Sequence, residues 1–154
     1  MDVRYINPFV VAVQDVFETM IELPFQLKKP GIKKDRTPDF EISGIIGLSG
    51  AVTGCVVISL KEGLALQLAS ILMQETYSVF NEDVVDAIGE ITNMVVGNAK
   101  SHFPEDGCTI SVPSVVAGRH KVSFPSTVPI INIPCNIGSD QLSIDVAIRP
   151  NQAS

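Results

Sequence analysis

"DAIGEITNMVVGNAK" (Asp86–Lys100) is the stretch that decides how this chain folds and where its chemistry lies. Successive residues of an α-helix turn by about 100° around the axis. On that wheel Val84, Ile88, Ile91, Val95 and Ala99 fall in one arc of about 80°, an apolar face that belongs against a core. Asp86, Glu90, Asn93 and Gly97 fall within about 60° on the opposite side, facing water or a partner. A solvated face is normally polar and needs no function. Helix propensity argues against that reading for two members of this stripe. Asn is a mediocre helix former, and Gly costs ~1 kcal/mol relative to Ala in a helix interior. Gly97, one turn beyond Asn93, leaves bare backbone, so that something can come close to the amide. Asp86, one turn before Glu90, adds negative potential with no helical lysine beside it.

Working outward, Asn81 caps this helix, with Phe80 and Val85 as a hydrophobic staple, and the helix runs to about His102 before Pro104 and Gly107 end it. Upstream, Ser59-Leu60-Lys61-Glu62 reads as a capping box launching a shorter helix through "GLALQLASILMQE". Before it, "FEISGIIGLSGAVTGCVVISL" alternates and is rich in β-branched residues, which predicts a hairpin from about Phe40 to Leu60 turning at Ser49-Gly50. The segment "PFQLKKPGIKKDRTPD" reads as a short edge strand and a solvated basic loop carrying Lys28, Lys29, Lys33, Lys34 and Arg36. The first helix is expected to start at Asn7 as N-cap with Pro8 in its first turn and an Ile6–Val11 staple. Phe9, Val13, Val16, Phe17 and Met20 then recur at helical spacing, and Pro24 marks its end.

Downstream the chain is β-rich: "CTISVPSVVAG", a turn-rich loop, then "PIINIPCNIGSDQLSIDVAI" turning at Gly138-Ser139-Asp140, with Pro129 and Pro134 suggesting an edge strand or bulges. Helix and hairpin in the first half are answered by helix and hairpin in the second, so the expected class is α/β with two pseudo-twofold halves.

The chain has 154 residues, 45% of them hydrophobic and 18% charged, which suits a single domain over 1–154 with a sizeable core. A net charge of −6 argues against general nucleic-acid binding, since counterion release needs a basic surface. No apolar run approaches the ~18 residues of a membrane span, and no secretory leader pattern opens the chain. Cys55, Cys108 and Cys135 stand far apart and odd in number, which fits free thiols in a cytoplasmic protein. Cys55 and Cys135 sit in strand patterns as core residues, His102 suits a helix C-terminus, and His120 reads as a loop residue. Gly50-x-x-x-Gly54 lacks the Lys-Ser/Thr of a phosphate loop.

A Glu with an Asn and no adjacent His, Cys or nucleophilic Ser builds no catalytic triad. One carboxylate and one amide at i, i+3 also make a poor metal site. An amide can still hold a water by donating and accepting hydrogen bonds, and a carboxylate can dock an ammonium. Phosphoryl transfer is the chemistry in which positioning a water near an existing metal is enough, and it calls for a partner that already carries the phosphoryl group.

At this point the chain resembles a known family. D-x-x-x-E-x-x-N on a long helix with a downstream Gly, the chain length, the order of elements and the closing "CNIGSDQLSIDVAI" are similar to the CheC/CheX/FliY phosphatases of chemotaxis, and most of all to CheX. The resemblance implies a CheC-like α+β fold with two long helices packed on an antiparallel-rich β-sheet. It also implies hydrolysis of the phosphoaspartate of a CheY-type receiver domain. In that scheme Asn93 orients the attacking water, Glu90 pairs with the receiver's lysine, Asp86 contributes to docking and Gly97 gives clearance. The Mg²⁺ belongs to the receiver, and the chain has no cofactor or metal of its own. CheX-like members form homodimers through edge strands, so a homodimer is expected. CheC-type members carry E-x-x-N on both long helices. Here the first helix offers Gln14, Glu18 and Ile21, with no amide, so one site per chain is expected. The alternative is a non-catalytic binding module of the same fold, a FliM-like scaffold or switch element. A small-molecule enzyme would need a nucleophile, base and metal constellation that the sequence lacks.

Overall fold

In the computed structural model, which describes residues 3–125 and 127–151, the chain runs α1 (Val3–Met20), β1 (Phe25–Leu27), β2 (Gly31–Lys33), β3 (Ile42–Gly50), β4 (Val52–Leu60), α2 (Glu62–Met73), α3 (Glu82–Lys100), β5 (Cys108–Ile110), β6 (Ser114–Ala117), β7 (Ile130–Ile137) and β8 (Asp140–Pro150). The architecture is α+β and CheC-like, three helices with an antiparallel sheet of eight strands in the order β1-β7-β8-β4-β3-β5, β2 also pairing with β7 and β6 with β3. Hairpins β3–β4 and β7–β8 meet at its centre, where β4 and β8 pair from Val52↔Pro150 to Leu60↔Leu142. The pseudo-twofold is visible in the order helix, two short strands, hairpin, occurring twice with α2 between. The halves are interlocked: β1 and β2 of the first half edge β7 of the second, while β5 and β6 of the second edge β3 of the first.

Strand alternation sorts the sheet into two faces. Leu142, Ile144, Val146 and Ile148 of β8 join Ile46 and Val56 in the main core under the helices, with Phe9, Phe17, Ile88 and Val95 packed on them. The opposite face carries Val57, Ala147 and Ile130, covered by Val122, Phe124 and Val128 of the long β6–β7 connection. The β3–β4 turn uses Gly50 at φ 89, where a side chain would meet the Gly107 carbonyl at 2.3 Å. Both predicted hairpins are present, and their turns lie at Gly50-Ala51 and at Gly138-Ser139.

Five local expectations are corrected. The first helix begins by Val3, so Asn7 is no cap and Pro8 lies inside it. Burial of Tyr5 and Phe9, whose rings pack on Phe103, holds the turn before the proline, and this outweighs the lost hydrogen bond. On that continuous helix Ile6 is buried while Val11 is 46% exposed, so no staple joins them. Ser59 caps nothing: it stays in β4, paired with Ser43 and Ser143, and α2 starts without a side-chain cap from its N-cap residue Lys61. Glu41 serves that end instead, accepting from the Glu62 N–H at 3.2 Å. The basic segment forms two short strands, not one, and its Lys33 is half-buried. Finally, Pro134 sits in β7, which is not an edge. Its carbonyl accepts from the Lys28 N–H at 2.9 Å, between the stretches paired with β1 and β2. The missing donor of Pro134 therefore points at the break in the outer strand and costs no ladder bond.

One close approach fixes how α3 lies on the sheet. A Cβ on Gly44 of β3 would stand 2.0 Å from Oγ1 of Thr92, which is itself fully buried. The Gly44→Ala substitution is expected to destabilise the protein by about 1–3 kcal/mol, as overpacking does, read as a lower denaturant midpoint.

Candidate functional site

The site is a stripe on α3, and the helix is set up locally to present it. Asn81 Oδ1 accepts from the Val84 N–H at 3.1 Å, and Glu82 and Asp83 occupy the first turn, where the helix dipole favours carboxylates. Val84, Ile88, Ile91, Val95 and Ala99 are all buried, as the wheel requires. Thr92, locked against Gly44 and donating to the Ile88 carbonyl at 2.7 Å, fixes the roll of the helix one residue away from Asn93. Asp86 and Glu90 then emerge exposed, and Asn93 and Gly97 half-buried.

The two glycines of α3 differ in their surroundings. A Cβ on Gly89 would touch Pro113 at 3.4 Å, an internal packing reason for its size. A Cβ on Gly97 would meet nothing within 4 Å. No packing contact calls for glycine at 97. The Gly97→Ala variant is expected to gain up to about 1 kcal/mol of stability from helix propensity, while losing activity toward a partner that must approach Asn93. Thermal melts and turnover measured on the same preparation check this.

The corresponding face of α1 differs. Gln14 Nε2 donates to Glu18 Oε1 at 3.1 Å, both exposed, while Ile21 lies beyond the helix end and is 2% exposed, within the core. Among the described residues, no group of three or more His, Cys, Asp and Glu could hold a metal ion. No helix there is long and apolar enough to cross a membrane.

The sheet's other face holds a polar cluster that the sequence reading missed. Lys33 Nζ lies 2.8 Å from Asp145 and 3.1 Å from Asp39. Asn132 Nδ2 donates to Asp145 at 2.7 Å and to Asp39 at 3.1 Å, and Ser143 Oγ donates to Asp39 at 2.6 Å. The charges do not shift in the same sense. Burial pushes the Asp145 carboxyl up, more than its bonds to Asn132 and Lys33 pull it down. At Asp39 burial is outweighed by Ser143 and Lys33, which hold it below the usual range. At Lys33 burial is likewise outweighed by the two carboxylates, which hold it above its ordinary value.

His120 is more than a loop residue: its Nε2 lies 2.7 Å from Oγ of buried Ser43 and its Nδ1 2.6 Å from the Gly118 carbonyl. His102 closes the end of α3, its Nδ1 lying 3.0 Å from the Asn98 carbonyl. All three cysteines are free. Cys135 is buried, which pushes its thiol up to about 12, and Cys55 is half-buried on the sheet's other face.

Comparison with known proteins shows the family. Residues 42–136, well over half of the chain and all of α3, match the family described as Chemotaxis phosphatase CheX. A curated relative, the CheY-P phosphatase CheX of Thermotoga maritima, is 24% identical over 144 residues, covering 92% of each chain. The crystal structure of chemotaxis protein CheX from Vibrio vulnificus is 34% identical, with a TM-score of 0.82 over 94% of this chain and 99% of that one. The CheX of a CheX–CheY–BeF3–Mg²⁺ complex from Borrelia burgdorferi is 27% identical, with a TM-score of 0.81 over 94% and 97% of the two chains. Matching that family over residues 42–136, and the Vibrio vulnificus CheX at 34% identity over 94% of its own length, the chain belongs to the CheX family of chemotaxis phosphatases.

Proposed function

We propose that this protein hydrolyses the phosphoaspartate of a CheY-type receiver domain, and that the α3 stripe is the surface that does it. The observation that carries the reading is an exposed Glu90 and half-buried Asn93 on a helix of locked roll, followed by a glycine with no internal reason for its size. In this reading Asn93 enters beside the phosphoryl group and holds a water in line with the P–O bond to the aspartate, both donating to it and accepting from it. Attack by that water forms one P–O bond and breaks the other. The receiver's aspartate leaves as a carboxylate, and the water's protons pass to the released phosphate and solvent. Glu90 pairs with the receiver's active-site lysine and sets the register, Asp86 adds docking charge, and Gly97 gives the receiver clearance. Asp86, Glu90 and Asn93 do not make a metal site of this chain's own. The Mg²⁺ is the receiver's, where it neutralises phosphoryl oxygens. The Borrelia burgdorferi complex, of CheX with CheY, BeF3 and Mg²⁺, supports this division of labour.

The test is a phosphate-release assay with a phosphorylated CheY-type receiver from the same organism. Catalytic amounts of this protein are expected to accelerate release. Co-elution with the receiver and no acceleration would instead identify a non-catalytic binding module. We further propose a homodimer joined through edge strands. The two outer edges are β1/β2 and β5/β6, and exposed Ile32 on β2 and Val112 beside β5 are the apolar groups nearest them. Light scattering reads the mass.

A further inference from the structure

Two locally unfavourable residues meet under the turn that carries Glu90 and Asn93. Threonine is a middling helix former, and one that donates to the carbonyl four residues back tends to bend its helix. Thr92 does this, to Ile88 at 2.7 Å, and is fully buried. Glycine weakens a strand interior and often marks a close approach. Gly44 lies within β3, paired with Ile58 on one side and Val115 on the other. A Cβ there would stand 2.0 Å from Oγ1, 3.0 Å from Cβ and 3.3 Å from Cγ2 of Thr92, so the whole threonine side chain sits on bare strand backbone. We propose that Thr92, seated on Gly44, is a positioning residue for the catalytic amide: it sets the roll of α3 at which Asn93 holds the attacking water in line. The inference rests on Asn93 acting as proposed above.

Three observations favour positioning over packing alone. The seat is firm, because β3 has a paired strand on each side at Gly44. A second close contact serves the same turn: a Cβ on Gly89 would lie 3.4 Å from Pro113 and 3.8 Å from Val115. Glu90 and Asn93 thus each follow directly on a residue set against the sheet. Among the described residues, moreover, Asn93 has no side-chain hydrogen bond to aim it, so its direction comes from the helix backbone. Side-chain tips lie about 5–6 Å from a helix axis, so a roll of about 10° carries the amide about 1 Å sideways. A misplacement of that size at a reacting centre costs roughly a hundredfold in rate. The carboxylates that dock the receiver tolerate it better, since charge attraction falls off gradually with distance.

The experiment measures kcat and KM on a phosphorylated CheY-type receiver, and Kd for the same receiver loaded with beryllofluoride and Mg²⁺. It compares wild type, Thr92→Ala, Thr92→Ser, Gly44→Ala, Lys33→Met and Asn93→Ala at a temperature where melts show each folded. Thr92→Ala is expected to lower kcat by about tenfold to a hundredfold, with Kd little changed. Thr92→Ser keeps the hydroxyl and its bond to Ile88, and is expected to retain most of the wild-type kcat. Gly44→Ala disturbs the same contact from the strand side and should lower kcat likewise; if it fails to fold, Thr92→Ala decides alone. Lys33→Met, destabilised on the sheet's other face, should keep the wild-type kcat. Unchanged kcat in Thr92→Ala, with Asn93→Ala inactive, overturns the positioning role and leaves the catalytic reading standing. A rise in Kd that accounts for the whole loss also overturns it, as does an equal loss of kcat in Lys33→Met, which would trace the effect to general instability. An active Asn93→Ala overturns the catalytic reading itself.

Discussion

Asn93→Ala is expected to lower the turnover of a phosphorylated CheY-type receiver by a hundredfold to a thousandfold, the order of loss seen when one preorganised polar group is removed from a transition state. The variant removes the one side chain on the stripe that can both accept from a water and donate to it. It leaves the rest of the stripe in place, so binding to a beryllofluoride-loaded receiver should persist. Folding should not suffer either: Asn93 is half-buried, it makes none of the contacts that lock the helix, and alanine is the better helix former. A phosphate-release time course beside a thermal melt separates the two effects. Near-normal turnover in a folded variant would remove Asn93 from the mechanism.

The largest expected loss of stability lies on the other side of the sheet. Lys33 and Asp145, whose side chains are 10% and 2% exposed, are paired across 112 residues of sequence. Lys33→Met leaves the Asp145 carboxylate buried without its cation, a defect of about 3–5 kcal/mol. In a chain of this length that lowers the melting temperature by something on the order of 10 °C. Adding Asp145→Asn should recover part of the loss, because the uncompensated charge is then gone and Asn132 still has a partner. The cluster also shapes the response to pH. Lys33 is held above its ordinary value, so its contribution is full below 10.5 and fades as pH rises through the higher folded value. Asp39 is held low, so its contribution is full above 3.8 and is lost as pH falls through the lower folded value. Burial works the other way at Asp145, whose protonation on acidification relieves strain in the folded state. Chemical denaturation of wild type and Lys33→Met across the acid range and again above pH 10.5 checks the sign of each.

These cases show which parts of the protein are legible in its sequence. The α3 face was readable because a helix writes its burial into the chain every three or four residues, and Asn81 marks its start within the same few positions. Both hairpins were readable for the same reason, from alternation and a local turn. The failures are cases where a distant group overrode a local signal. Asn7-Pro8 has the chemistry of a helix start, yet Phe103, nearly a hundred residues away, holds the earlier turn in place. Ser59 has the spacing of a capping box, yet Ser43 and Ser143 on neighbouring strands keep it in the sheet. Lys33 lies in a run of lysines whose other members need only water, and nothing near it in sequence announces Asp145. The stripe on α3 was visible for its chemistry.

The exchange of short strands between the two halves has a consequence for how the chain comes into being. When α1, β1 and β2 have left the ribosome, the strand they must edge, β7 at Ile130–Ile137, has not yet been made. Hairpin β3–β4 likewise waits for β8 to supply its central neighbour. No amino-terminal fragment can complete a sheet, and most of the pairing spans long loops that are slow to close. The sheet can therefore close only once β7 and β8 have been made, in one cooperative step. Until that step it exposes unpaired strands to aggregation, which makes the interval before β7 and β8 dock its most vulnerable moment.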